Sequence, residues 1–154
     1  MKHLNQYINI RKGKSTIKAT DETIKQIVKG ELDKLGHDAD LNHIDVSEVT
    51  EMEGLFCCDQ YDLGTKYKDL NPDISRWDVS KVNNMWGMFK NCKNFNQDIS
   101  RWDVSKVENM YGMFWGCENF NKDLSGWNIQ NVKYHDSMFN ECPLKEEFKP
   151  KFNK

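Results

Sequence analysis

The stretch DISRWDVSKV at residues 73–82 returns letter for letter as DISRWDVSKV at 98–107. Extended outward, the match becomes two units of 25 residues. DISRWDVSKVNNMWGMFKNCKNFNQ (73–97) and DISRWDVSKVENMYGMFWGCENFNK (98–122) differ at six positions. A third copy, DLSGWNIQNVKYHDSMFNECP, starts at Asp123 and fades after Pro143. A weaker copy, DLNHIDVSEVTEMEGLF (40–56), aligns without a gap to 73–89, with an eight-residue insertion following it inside CCDQYDLGTKYKDLNP (57–72). A fixed period of this size marks stacked repeats, each too small to bury its apolar side alone.

Spacing assigns the recurring letters. Val82, Met85, Met88 and Phe89 fall at helical intervals, as do Val107, Met110, Met113 and Phe114. Ser80 and Ser105 stand where an N-cap belongs, and Ser105 with Glu108 makes a capping box. Each unit is therefore expected to carry a short helix of about two turns. The DISxWDV portion, with β-branched and aromatic residues in rough alternation, suits a short strand or extended turn. The expected fold class is α/β: a parallel solenoid of about four 25-residue repeats (40–72, 73–97, 98–122 and 123–142), its strands ~4.8 Å apart.

The run FNQDISRWDVSKVENMYGMF at 95–114 and its neighbours resembles the BspA-like leucine-rich repeat family, a bacterial repeat common in Mycoplasma surface proteins. The resemblance spans roughly residues 40–142. It implies a leucine-rich-repeat-like α/β solenoid, used in that family for protein binding or adhesion.

Repeat arrays need capped ends. Residues 1–39 are expected to cap the first repeat with an edge strand from Ser15 to Ala19 and a helix over 21–36. The apolar stripe of that helix is Ile24, Ile27, Val28, Leu32 and Leu35. Residues 143–154 offer Phe148 and Phe152 to cover the last turn, and His135, standing where Met85 and Met110 stand, points to a partly solvated final unit.

Composition bounds the function. A chain of 154 residues with 38% hydrophobic content makes one domain with a thin, elongated core. A net charge of -2 without a long basic run argues against nucleic acid as the main partner. The opening MKHLNQYINIRKGK has no apolar h-region and no apolar stretch reaches membrane-spanning length, so a cytoplasmic protein with no membrane partner is expected. Five cysteines without a secretion signal favour reduced thiols.

Candidate chemistry reduces to architecture. Cys92, Cys117 and Cys142 share one slot and form a ladder of small buried residues; three parallel thiols do not enclose a tetrahedral metal. Cys57 or Cys58 is the displaced ladder member. The histidines and carboxylates of Gly36–His43 match no metal spacing, and Asp40 aligns with the turn residues Asp73, Asp98 and Asp123. His135-Asp136-Ser137 are neighbours whose side chains diverge, which a catalytic triad does not allow. No catalytic residue, metal or cofactor is expected.

Function is sought where copies change while the framework stays. One slot holds Glu53, Trp86, Tyr111 and Asp136, and a second holds Lys90, Trp115 and Asn140. A slot that accepts charge and large apolar groups alike is exposed, and four-residue spacing on a helix puts both slots on one face. Trp86, Tyr111 and Trp115, with Glu53, Lys90 and Asp136, form the expected partner-binding surface. Arg76, Arg101, Lys81 and Lys106 form a secondary basic stripe. The favoured function is a non-enzymatic module binding a protein partner. The alternative is a structural component that self-assembles or attaches to a larger particle, for which a phage origin is conceivable. Tyr61 and Tyr67 of the insertion would extend the surface.

Overall fold

The computed structural model describes residues 8–11, 14–59 and 63–152; Tyr61 lies outside them. At the N-terminal end, β1 (Ile8–Arg11) pairs antiparallel with β2 (Lys14–Lys18). In turn β2 pairs parallel with β3 (Ile44–Asp45), Ile17 opposite Ile44. The order β1-β2-β3 makes β2 the central strand rather than an edge. The helix α1 spans Ile24–Leu35. Ile24, Ile27, Val28 and Leu32 are buried against the core, whereas Leu35 is exposed. Gly36 ends the helix with φ 95, its N–H on the Leu32 carbonyl.

The strand-and-helix solenoid expected for 40–142 is not what forms. Among the described residues α1 is the one α-helix and no strand follows Asp45; the only helical element within 40–142 is a 3-10 turn at Thr65–Tyr67. The reason lies in where the backbone amides go. An α-helix needs each N–H on the carbonyl four residues back. Instead, the N–H groups of Met85, Gly87, Phe89 and Asn91 reach the carbonyls of Asn109, Tyr111, Met113 and Trp115 in the next unit, at 2.7–3.0 Å. The amides of Met88, Lys90 and Cys92 close turns on Met85, Gly87 and Phe89. Alternate amides are thus shared between units, and helix propagation is interrupted at every second residue.

The pattern recurs one unit earlier, from Met52, Gly54, Phe56 and Cys58 to Asn84, Trp86, Met88 and Lys90, and one unit later, from Met110, Gly112, Phe114 and Gly116 to Tyr134, Asp136, Met138 and Asn140. These turns need a left-handed residue at their third position. Gly54, Gly87 and Gly112 supply it with φ of 56–59°, as does Ser137 at 57°. The following turn places Asn91, Gly116 and Glu141 there.

Three further corners per unit are made by side chains. The Asp73 carboxylate accepts the Ser75 N–H, Asp78 accepts that of Ser80, and Asn84 accepts that of Trp86. The next unit repeats this with Asp98–Ser100, Asp103–Ser105 and Asn109–Tyr111. The serines read as helix caps therefore belong to Asx turns, in which the aspartate two residues earlier is the acceptor.

The inward pattern read from spacing holds even though the helices do not. Val82, Met85, Met88 and Phe89 are fully buried, as are Val107, Met110, Met113 and Phe114. Phe56, Phe89, Phe114 and Phe139 stack in parallel with centroids 5.5–5.7 Å apart. Trp77, Trp102 and Trp127 close the opposite wall, each indole N–H donating to the carbonyl of Leu41, Ile74 or Ile99. Such aromatic contacts contribute about 0.5–1.5 kcal/mol each beyond area burial, which lets a chain poor in aliphatics hold a narrow core.

The insertion is docked onto α1. Tyr67 is buried, and its hydroxyl donates to Asp33 at 2.5 Å. Lys66 and Lys29 reach the same carboxylate at 2.7 and 2.9 Å. Hydrogen bonds from Lys29, Lys66 and Tyr67 hold that carboxyl far below the usual range. At the other end, Phe148 accepts the Leu124 N–H, and Phe152 stacks on half-buried His135 at 4.0 Å.

Candidate interaction surface

The two variable slots sit at turn corners, not on a helix. Trp86 is the second residue of the Met85–Met88 turn, and Tyr111 holds the same place in Met110–Met113. Each is pinned on both sides. The Trp86 N–H donates to Asn84 Oδ1 at 3.0 Å, and its carbonyl accepts the Gly54 N–H at 2.8 Å. Tyr111 repeats this with Asn109 Oδ1 and Gly87. With the backbone clamped in register, the rings stack at 6.3 Å with planes 7° apart. Both remain half-buried.

Trp115, expected on the same face by helical spacing, takes part in a different contact. Its ring lies under Lys90, whose Nζ is 5.2 Å from the centroid and 2.9 Å from Asp59. The hydrogen bond to Asp59 raises the Lys90 pKa above the ordinary lysine range. Burial opposes ionisation of Asp59, but hydrogen bonds from Lys90 and Asn91 outweigh it and keep that carboxyl low. The six residues of the expected surface thus form two couples, Trp86 with Tyr111 and Lys90 with Trp115, and two exposed acids. Glu53 lies before Trp86 in the ladder and accepts the Asn84 side-chain amide at 3.2 Å. Asp136 follows Tyr111, its carbonyl taking the Gly112 N–H.

The basic stripe is partly neutralised. Arg76 pairs with Asp40 at 3.5 Å and Lys81 with Glu48 at 2.7 Å. Arg101 and Lys106 are exposed and make no ion pair among the described residues. Exposed pairs of this kind contribute little, about 0–1 kcal/mol, so the stripe offers a weak, diffuse field.

The cysteines are buried and none forms a disulfide. Cys92 and Cys117 donate to the carbonyls of Phe56 and Phe89 at 2.8 and 3.0 Å, and burial pushes both thiols upward. Cys58, whose Sγ is 3.3 Å from that of Cys92, is the displaced ladder member. His43 Nε2 lies 2.8 Å from Glu31, and His37 packs on Tyr67. Among the described residues no three His, Cys, Asp or Glu side chains gather as a metal site.

Sequence reading missed the residues that hold this surface. Asn84 and Asn109 orient the aromatics, and the shared NM letters before each variable position were the available signal. Asp59, inside the insertion, has no counterpart in the other units and left no such trace.

Over residues 24–152 the chain matches the family described as Mycoplasma protein of unknown function, DUF285, and it belongs to that family. No curated protein and no solved structure matches it. Among the described residues no helix is long and apolar enough to cross a membrane.

Proposed function

We propose that the chain is a non-enzymatic interaction module that holds a protein partner against the Trp86–Tyr111 face, with Lys90 and Trp115 beside it. The observation that carries this reading is the stack itself. Two large aromatics are held at fixed spacing by backbone bonds on both sides and still keep part of their surface in water. A preorganised aromatic pair loses little entropy on docking, and Trp and Tyr dominate interface hot spots. Glu53 and Asp136 at the two ends of the stack give it a polar rim. The resemblance of the repeat motif to BspA-like proteins, which bind proteins or adhere, supports the same class of role. A reducing compartment suits a core whose thiols donate to carbonyls.

The test is an affinity capture from bacterial lysate with wild type beside a folded triple variant, Trp86→Ala, Tyr111→Ala and Trp115→Ala. A protein retained by wild type and lost by the variant supports the face. Equal retention by both removes it.

A further inference from the structure

Within the chain, three successive sets of four amides each find four carbonyls in the following unit. The fourth unit has the donors, and no further unit pairs with it among the described residues. His135, Ser137, Phe139 and Glu141 occupy the positions of Met110, Gly112, Phe114 and Gly116. Their N–H groups have no acceptor among the described residues. The carbonyls between them, of Tyr134, Asp136, Met138 and Asn140, are already taken by the preceding unit. The edge is therefore a row of donors alone, every second residue, in the geometry that elsewhere in the chain seats the run of turns of the next unit.

Beside this row lies a depression of about 490 Å³, lined by Ser137, Phe139 and Asn140 on one side and Lys149, Pro150 and Phe152 on the other. The C-terminal segment bonds the unit at Leu124 and stacks on His135, but its described residues supply no carbonyl to the row. An unpaired edge is a template for another chain.

We propose that this edge takes a segment of a partner polypeptide coiled in the same run of turns, which continues the ladder through its carbonyls and sets a lysine or arginine over Asp136. Continuity with the three internal interfaces fixes the backbone geometry. Charge fixes the side chain, because ladder neighbours in this slot lie directly against each other, as Trp86 does on Tyr111, and Asp136 is exposed with no cation bound to it among the described residues. Like charges so placed repel. A second copy of this chain would bring Glu53 onto Asp136, so its own first unit is the wrong occupant.

The experiment uses the full chain and two synthetic peptides with the sequence of residues 108–116, one carrying Tyr111→Lys and the other Tyr111→Glu. Amide exchange is followed residue by residue. The expected result is at least about tenfold slower exchange at His135, Ser137, Phe139 and Glu141 with the lysine peptide, and about tenfold weaker binding of the glutamate peptide. Asp136→Asn should remove most of the difference between the peptides without abolishing protection. Unchanged exchange at all four amides with millimolar lysine peptide overturns the proposal. So does protection that grows with protein concentration in the absence of peptide, which would assign the edge to a second copy.

Discussion

Trp102 and Trp86 are the same residue type in one unit's length of chain, and they serve opposite purposes. Trp102 is 5% exposed, and its indole N–H is spent on the Ile74 carbonyl. Trp86 is clamped only through its backbone, and its side chain touches one ring, Tyr111, among the described aromatics. The Trp102 slot holds Trp in units two, three and four, whereas the Trp86 slot holds Glu, Trp, Tyr and Asp. An inward slot is set by volume and a buried donor. An outward slot carries no such demand, so its occupant varies from unit to unit.

The sharpest break in that comparison is to truncate both. Trp102→Ala empties a full slot between the Trp77 and Trp127 layers and leaves the Ile74 carbonyl without its donor, so a loss of about 3–5 kcal/mol is expected in urea unfolding. Trp102→Phe keeps most of the volume and loses the hydrogen bond, for about 1–2 kcal/mol. Trp86→Ala, losing one half-buried stack, should cost about 1 kcal/mol. Equal losses for Trp102→Ala and Trp86→Ala would show that the outward pair is structural, and would remove the main support for the binding face.

A second, smaller contrast sets Gly116 against Gly126. Gly116 has φ 73, and a Cβ there would run into the side chain of Asn91 and lie 3.3 Å from its Cα. Gly126 has open space around the same atom. Gly116→Ala is expected to cost about 1–3 kcal/mol, and Gly126→Ala to be neutral or to stabilise by up to about 1 kcal/mol through the unfolded chain. Thermal unfolding of the two variants side by side measures this. Comparable behaviour would mean that the left-handed turn at 116 relaxes freely and does not fix the register.

These contrasts also show what was legible in the sequence. The period, the inward residues and the variable slots follow from comparing copies, because an invariant letter in every unit signals a shared environment whatever the backbone does. The backbone itself was misread. Val82, Met85, Met88 and Phe89 have helical spacing, but a chain of turns closing on the third residue back also returns side chains inward at three- and four-residue intervals. Gly87 and Gly112 in the middle of the supposed helices, and an Asp or Asn two residues before each corner, were the contrary evidence. The pairing of Lys90 with Asp59 was not legible, since the insertion breaks the copy-to-copy alignment where Asp59 sits. Nor was the donor edge at His135–Glu141, which depends on the direction of the inter-unit bonds.

The smallest effect expected distinguishes the two kinds of corner residue, Asp and Asn, which share one slot: Asp45, Asp78 and Asp103 are followed by Asn128 in the fourth unit. Both accept the N–H two residues on; only aspartate titrates. In the neighbouring slot, hydrogen bonds from Ser75 and Ser100 hold the carboxyls of Asp73 and Asp98 below their ordinary values, and Ser105 does the same for Asp103. A folded pKa below the unfolded one, about 3.9, contributes stability that is fully present above the unfolded value and is lost as pH falls through the folded one. Replacing Asp98 and Asp103 by Asn keeps the acceptor and removes the titration. Urea unfolding from pH 7 down to about pH 2.5 should then show the variant slightly less stable than wild type at neutral pH, with the gap closing as the acid limb is crossed. A gap that stays constant with pH would mean that geometry alone, and not charge, holds these corners, making aspartate and asparagine equivalent there, as Asn128 in the slot of Asp103 suggests.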